Sequence, residues 1–406
     1  MLTFNYYALQ KGLRRSDTVK DTRRGQRPRL TTTNLQQLGM EAKNNVYTNG
    51  NSGDAAALFW QWFAREEYRF RELKANDSDQ ALAFLDELIK QMRPFNSWLK
   101  ALAGPYGDNR YELIITADGE VALFSKVEEL VAKAPPLEHW QITAHKPALG
   151  FEGISIDMYE KRFSTDTTCF YPIVREHYPD EVSIVLTHVD YNEVDDDQFQ
   201  AGGMIYLENG LGEVNTATKI DHYETGPLPP PDSGIEVIPI SKLADYLNWR
   251  EKEFVEKYEL VNAERPEEMF NALEAADASG KLMLAVIDVS FKDWPLRPAY
   301  PWLFQVDILY KGNDRGLPNV SQLDELQETE EAIIQLLQGN NTALYIGHRT
   351  YDHVRSIYFY SSEYSTNSRL LHRFIESVQF NFQLTFFVQK DKYWHTMEAY
   401  YNATED

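Results

Sequence analysis

From residue 55 onward the chain switches repeatedly between a helical and a strand-like spacing of apolar residues. Residues 55–102 carry Phe59, Trp60, Trp62 and Phe63 in a helical stretch broken near Pro94. The β-branched run 111–116 (YELIIT) predicts a buried strand. Asp118 offers an N-cap, and Val121, Phe124, Val127 and Val131 recur at helical spacing until Pro135-Pro136 ends them. Residues 140–145 read as a return strand, 170–175 and 182–189 as two more with Tyr178, Pro179 and Asp180 in the turn, and 197–211 as a helix weakened by Gly202 and Gly203. Residues 216–223 close this unit as a strand. Its order of strand, helix, two strands, helix, strand is that of the split βαβ, or ferredoxin-like, motif.

A proline-rich connection (Pro227, Pro229, Pro230, Pro231) leads to a charged helix over 241–258 with Leu243, Tyr246, Leu247 and Phe254. Beyond it the same order recurs. Strands are expected at 282–289 and 304–310, and Ser321 with Asp324 has capping-box spacing for a helix carrying Leu323, Leu326, Ile333 and Leu337. A hairpin follows over 342–349 and 354–361, then a helix from Ser365 with Leu370, Phe374 and Val378, and a last strand over 384–389. The expected fold is α+β: two ferredoxin-like modules, 111–240 and 259–406, joined by the helix 241–258 and preceded by a helical lead-in over 55–110.

Charge sets the remaining boundary. The chain of 406 residues has a net charge of -22, yet residues 1–55 hold nine Lys or Arg against four Asp or Glu, so the remainder carries -27. Residues 1–54 therefore read as a disordered basic tail, with too little apolar content to offset ordering entropy. The acidic remainder repels a phosphate backbone, which makes nucleic acid an unexpected partner. No stretch reaches the roughly 18 to 20 apolar residues that span a bilayer, and a cytoplasmic protein is expected. Cys169 is the single cysteine, so no intrachain disulfide and no multi-cysteine zinc site can form.

The densest chemistry lies on the second hairpin. His348, Arg349, Tyr351, His353, Arg355, Tyr358 and Tyr360 fall within a short span whose cations and phenols could hold an anion or a carboxylate-bearing partner. Alternation puts Arg355 with His353 and Phe359 on one face, and Tyr358 and Tyr360 with Val354 on the other. The competing reading is an aromatic cross-strand ladder with a charged edge. His188, Asp190, Glu193, Asp195, Asp196 and Asp197 suggest hard-cation ligands, but their spacing fits a solvated loop that caps the next helix better than any known metal pattern. Gly210-Leu211-Gly212 follows a helix without a nearby lysine and is a poor phosphate loop. Cys169 reads as a structural thiol; as a nucleophile it would need His177 or His188 as base.

Residues 294–394 resemble the bacterial domain of unknown function 695 family through Asp293-Trp294, Trp302-Leu303-Phe304, Gly316-Leu317-Pro318, Ile346-Gly347-His348-Arg349-Thr350 and Ile357-Tyr358-Phe359-Tyr360. The family is similar in outline to the regulator of ribonuclease E activity B, a small acidic ferredoxin-like inhibitor protein. The resemblance implies protein binding and defines no catalytic residues.

The expected function is that of a non-enzymatic protein-binding or regulatory module with the C-terminal sheet face as contact surface. It would use no cofactor and no metal, and its binding residues would be His348, Arg349, His353, Arg355, Tyr358 and Tyr360. The alternatives are a hydrolase acting on an anionic substrate, with His348 or His353 as base and Arg349 or Arg355 as clamp, and an antitoxin-like immunity protein.

Overall fold

The computed structural model describes residues 52–72, 78–107, 110–377 and 381–403. Of the expected basic tail over 1–54, residues 1–51 lie outside the described residues, and 52–54 belong to helix α1 (Ser52–Glu66). With α2 (Tyr68–Arg71) and α3 (Ser78–Met92), α1 packs on a three-stranded sheet of β1 (Lys100–Pro105), β2 (Tyr111–Thr116) and β3 (Trp140–Ala144). β2 and β3 are parallel, joined through α4 (Phe124–Ala132). Aromatic side chains make this interface: Phe63 meets the Trp140 ring edge-on at 5.1 Å, and Trp60 Nε1 donates to the Leu130 carbonyl at 2.8 Å. The helical stretch is thus no separate lead-in. It supplies strand β1 and much of the core of the first sheet.

The second unit has the hairpin β4 (Ile156–Met158) and β5 (Lys161–Phe163), then β6 (Thr168–Ile173), β7 (Ser183–His188), α5 (Asp196–Leu211), α6 (Glu213–Lys219), β8 (His222–Thr225) and β9 (Ile238–Pro239). Its sheet runs β8-β7-β6-β9, with β7 and β8 parallel. The stretch 111–240, expected as one split βαβ sheet, therefore divides among three sheets: strands β2 and β3 of the first, the separate β4–β5 hairpin, and the four-stranded sheet. Residues 216–219, expected as strand, are the end of helix α6, where the Thr216 and Thr218 hydroxyls donate to the carbonyls of Gly212 and Val214, four residues earlier. Gly202 and Gly203 let α5 lie directly on Phe163 and Leu186, where a Cβ would collide. Helix α7 (Leu243–Glu259), expected as a linker, buries Leu243 and Leu247 in this unit's own core.

The C-terminal unit is a six-stranded antiparallel sheet in the order β10-β11-β13-β14-β12-β15. Its strands are β10 (Phe270–Ala276), β11 (Leu282–Asp288), β12 (Trp302–Leu309), β13 (Ala343–Tyr351), β14 (Val354–Ser361) and β15 (Gln383–Lys390). Helices α8 (Val320–Gln338) and α9 (Ser365–Ser377) pack on one face. Asn319, one residue before α8, takes the cap expected of Ser321: Gln322 Oε1 accepts the Asn319 backbone N–H at 3.0 Å. The same core continues through Phe124, Val127 and Leu130 into the first sheet, so the N-terminal and C-terminal parts share one apolar interior. On the opposite face Trp394 and α10 (His395–Asn402) bury Leu303, Ile346, Tyr358 and Tyr360. No helix among the described residues is long and apolar enough to cross a membrane.

Candidate functional site

The hairpin residues do not line one surface. On the face under α8, Glu330 gathers three of its neighbours: His348 Nδ1 lies 2.6 Å from Oε1, the Tyr345 hydroxyl donates to the same oxygen at 2.9 Å, and Arg355 Nη1 donates to Oε2 at 3.0 Å. Arg355 Nε also donates to Thr350 Oγ1 at 3.1 Å. A bulge in β13 explains the grouping, because the register against β14 shifts between Tyr345 and Gly347. In a regular strand residues three apart face opposite sides; the extra residue, Ile346, puts Tyr345 and His348 on the same one. Gly347 makes this possible. Its φ is +139°, and a Cβ there would run into the Val286 carbonyl of the neighbouring strand.

Burial alone would raise the Glu330 carboxyl, but the His348 hydrogen bond, the charges of His348 and Arg355 and the Tyr345 hydroxyl hold it below the ordinary carboxylate value. Burial and the same carboxylate push the Tyr345 phenol up. Sequence reading missed both Glu330 and Tyr345. A signal for Glu330 was present: it sits between Leu326, Ile333 and Leu337, inside the apolar stripe of its helix, where a carboxylate needs partners.

Arg349, Tyr358 and Tyr360 point to the other face, which is covered rather than open. Arg349 is buried beside Tyr358, Tyr400 and Asp307. Tyr360 donates to Asp391 Oδ2 at 2.6 Å and stacks on the Trp394 indole at 4.1 Å and 7°. The expectation of a bare sheet face fails because α10 folds back over it. His353 sits in the two-residue turn with Asp352, both at positive φ, and its Nδ1 accepts the Gly312 backbone N–H at 3.0 Å. It pins the loop after β12 to the hairpin.

The remaining candidates resolve into local structure. His188 is buried, with Nε2 at 2.9 Å from the Arg162 carbonyl and Nδ1 accepting the Asp190 N–H at 3.1 Å. Among the described residues no group of three or more His, Cys, Asp or Glu is arranged to hold a metal ion. Cys169 lies opposite Thr187, and His188 opposite Thr168, so thiol and imidazole leave the sheet on different faces; burial raises the thiol further. After Gly212, Glu213 is fully buried and accepts the Thr116 hydroxyl at 2.6 Å and the N–H groups of Ala117, Gly119 and Lys146 at 3.0 Å each. The chain's own carboxylate fills that cradle and ties the first two units together.

What stays open is the end of the six-stranded sheet. Among the described residues β10 is outermost, with no strand on its far side. Met269 and Phe270 are 60% and 41% exposed, and Leu284 on β11 is 37% exposed. Phe270 approaches the Tyr345 ring at 6.0 Å, which puts this end beside the Glu330 cluster.

An α+β protein whose C-terminal sheet is packed on both faces and leaves apolar side chains exposed at its β10 end is the class defined by this geometry. Residues 275–401 match the model of the "Family of unknown function (DUF695)", so the family resemblance holds for the C-terminal part of the chain. No curated protein and no solved structure matches the chain.

Proposed function

We propose that this protein is a non-enzymatic module that works by binding another protein, and that its contact surface is the β10–β11 end of the C-terminal sheet. The exposed Phe270 and Leu284 beside an unpaired edge strand carry this reading. A free strand edge with apolar neighbours is a ready template for pairing with another chain. We read the inner strands β13-β14-β12-β15, with α8 and α9 as crossovers, as a ferredoxin-like module to which β10 and β11 add the binding end. A hydrolase would need a cation free to clamp its anionic substrate. Arg355 is committed to Glu330 and Thr350, and Arg349 is buried on the face away from His348.

Affinity capture from the native host with the wild type and the variants Phe270→Lys, Leu284→Lys and Trp249→Lys tests the reading. Trp249 is an exposed aromatic on α7, which packs on the core of the second unit and not on the six-stranded sheet. Partners lost with the first two variants and kept with the third support the assignment, and identical capture by all four proteins overturns it.

A further inference from the structure

We infer that the β10 edge pairs with an extended, basic segment of the partner, an inference that rests on the β10–β11 end being the contact surface. The backbone supplies the first argument. Val289 N–H donates to the Met269 carbonyl and Asp277 N–H to the Lys281 carbonyl, at 2.8 and 3.0 Å, so the odd-numbered residues of β10 turn their polar groups toward β11. In an antiparallel ladder the alternate residues then face the other way. Phe270, Ala272, Glu274 and Ala276 present their N–H and C=O groups to the open side. Most of the usual guards are missing: β10 contains no Lys and no Pro, its register with β11 runs without a bulge, and Glu274 is its one charged residue. An added strand would find every ladder position available, as in β-strand addition.

The side chains choose the charge of the occupant. On the exposed face Ala272 and Ala276 leave room beside Leu284, and the charge on the strand is Glu274. Glu264, Glu267 and Glu268 are exposed just before β10, with Arg265 already paired to Glu268 at 3.2 Å. Farther in, helix α8 packs over β13, about 10 Å from β10 at two strand spacings, and adds Asp324, Glu325, Glu328 and Glu331 to the acidic field with no Lys or Arg, Glu330 being already paired with His348 and Arg355. An incoming strand would meet Glu274 directly and Glu267 and Glu268 at one end, with no basic residue on β10 to oppose it, so lysines or arginines alternating with apolar residues fit it. A second copy of this chain fits worse, because it would bring the same Glu267, Glu268 and Glu274 against themselves. Nucleic acid is excluded by the same charge.

The test uses the full chain and labelled peptides, one alternating lysine and valine and one alternating glutamate and valine, with binding read by fluorescence anisotropy. The lysine peptide should bind and the glutamate peptide should not, and binding should weaken with added salt. Ala272→Pro removes one outward N–H and should weaken binding by about tenfold or more. Glu274→Lys, which leaves the backbone edge intact, should weaken the lysine peptide and admit the glutamate one. Equal binding of both peptides overturns the charge assignment. Binding of neither peptide, while Phe270→Lys still abolishes protein capture, overturns the extended-strand inference and leaves the contact surface standing. A wild-type dimer in sedimentation that Ala272→Pro converts to monomer would put a second copy on the edge and overturn the basic partner.

Discussion

His348 Nδ1 lies 2.6 Å from Glu330 Oε1, which makes a residue on the hairpin and a residue on the helix above it one hydrogen-bonded pair. The carboxylate also holds Arg355 and Tyr345, so removing it strands a half-buried cation as well as an imidazole. Glu330→Gln should lower stability by roughly 2–3 kcal/mol, the range for hydrogen bonds to charged groups. The exposed neighbour Glu331→Gln should change it by less than about 0.5 kcal/mol. Urea unfolding of the two variants makes the comparison. The pH dependence follows from the lowered carboxyl: its contribution is present above the ordinary value of 4.5 and fades as pH falls through the folded one. The difference between wild type and Glu330→Gln should therefore shrink in acid.

The hairpin shows how far the sequence reached. Alternation from Val354 to Ser361 separates Arg355 from Tyr358 and Tyr360 correctly, because β14 is regular. It fails on β13, where an inserted residue resets the period and no local preference of Ile346 announces it. The covered face was hidden for a different reason. Residues 395–402 are mostly polar or small, and only their docking on Tyr360 and Ile346 reveals them as a lid. Strand β10 was missed because FNALEAA lacks β-branched residues and is a strand through its pairing with β11.

Gly347→Ala tests the bulge. The methyl group would meet the Val286 carbonyl at a backbone angle that side chains rarely adopt, so a loss of about 3 kcal/mol is expected. A thermal melt suffices, and a variant as stable as wild type would mean that β13 and β11 separate easily.

A pH response should arise where the second unit meets α10. His395 Nε2 lies 2.9 Å from Glu181 Oε1 and its Nδ1 lies 3.0 Å from Glu398 Oε1; His222 and Arg175 also face Glu181, while Asp391, Tyr178 and Tyr393 flank His395. Burial pulls the imidazole down, but the two carboxylates outweigh it and its pKa is raised above 6.5. The stabilisation is then fully present below about pH 6.5 and is lost as pH rises through the folded value. Lys390, lowered to about 8 by burial, acts in the opposite direction above that pH, so the useful window is pH 6 to 8. Within it wild type should lose more stability in urea than His395→Gln; parallel losses would remove His395 as the cause.

A fragment beginning near Tyr258 contains every strand of the six-stranded sheet and is of ordinary domain size, which on sequence alone argues that it folds by itself. The packing argues otherwise. Leu371 and Ile375 on α9 belong to the same core as Phe124 and Val127 on α4. His372, lowered to about 3 by burial, is neutral and donates from Nε2 to the Ala122 carbonyl at 2.8 Å. Lys126, itself buried, reaches Glu376 at 2.7 Å. Cutting the chain at 258 would expose the apolar stripe of α9 and remove these partners together, and single domains lose cooperativity when half a shared core is missing. The fragment should show secondary structure by circular dichroism but melt without a sharp transition. Adding a fragment of residues 52–148 should restore a cooperative melt. A sharp transition for the C-terminal fragment alone would show that its sheet needs only α8, α9 and α10, and that the contact with α4 is a docking surface between separate domains.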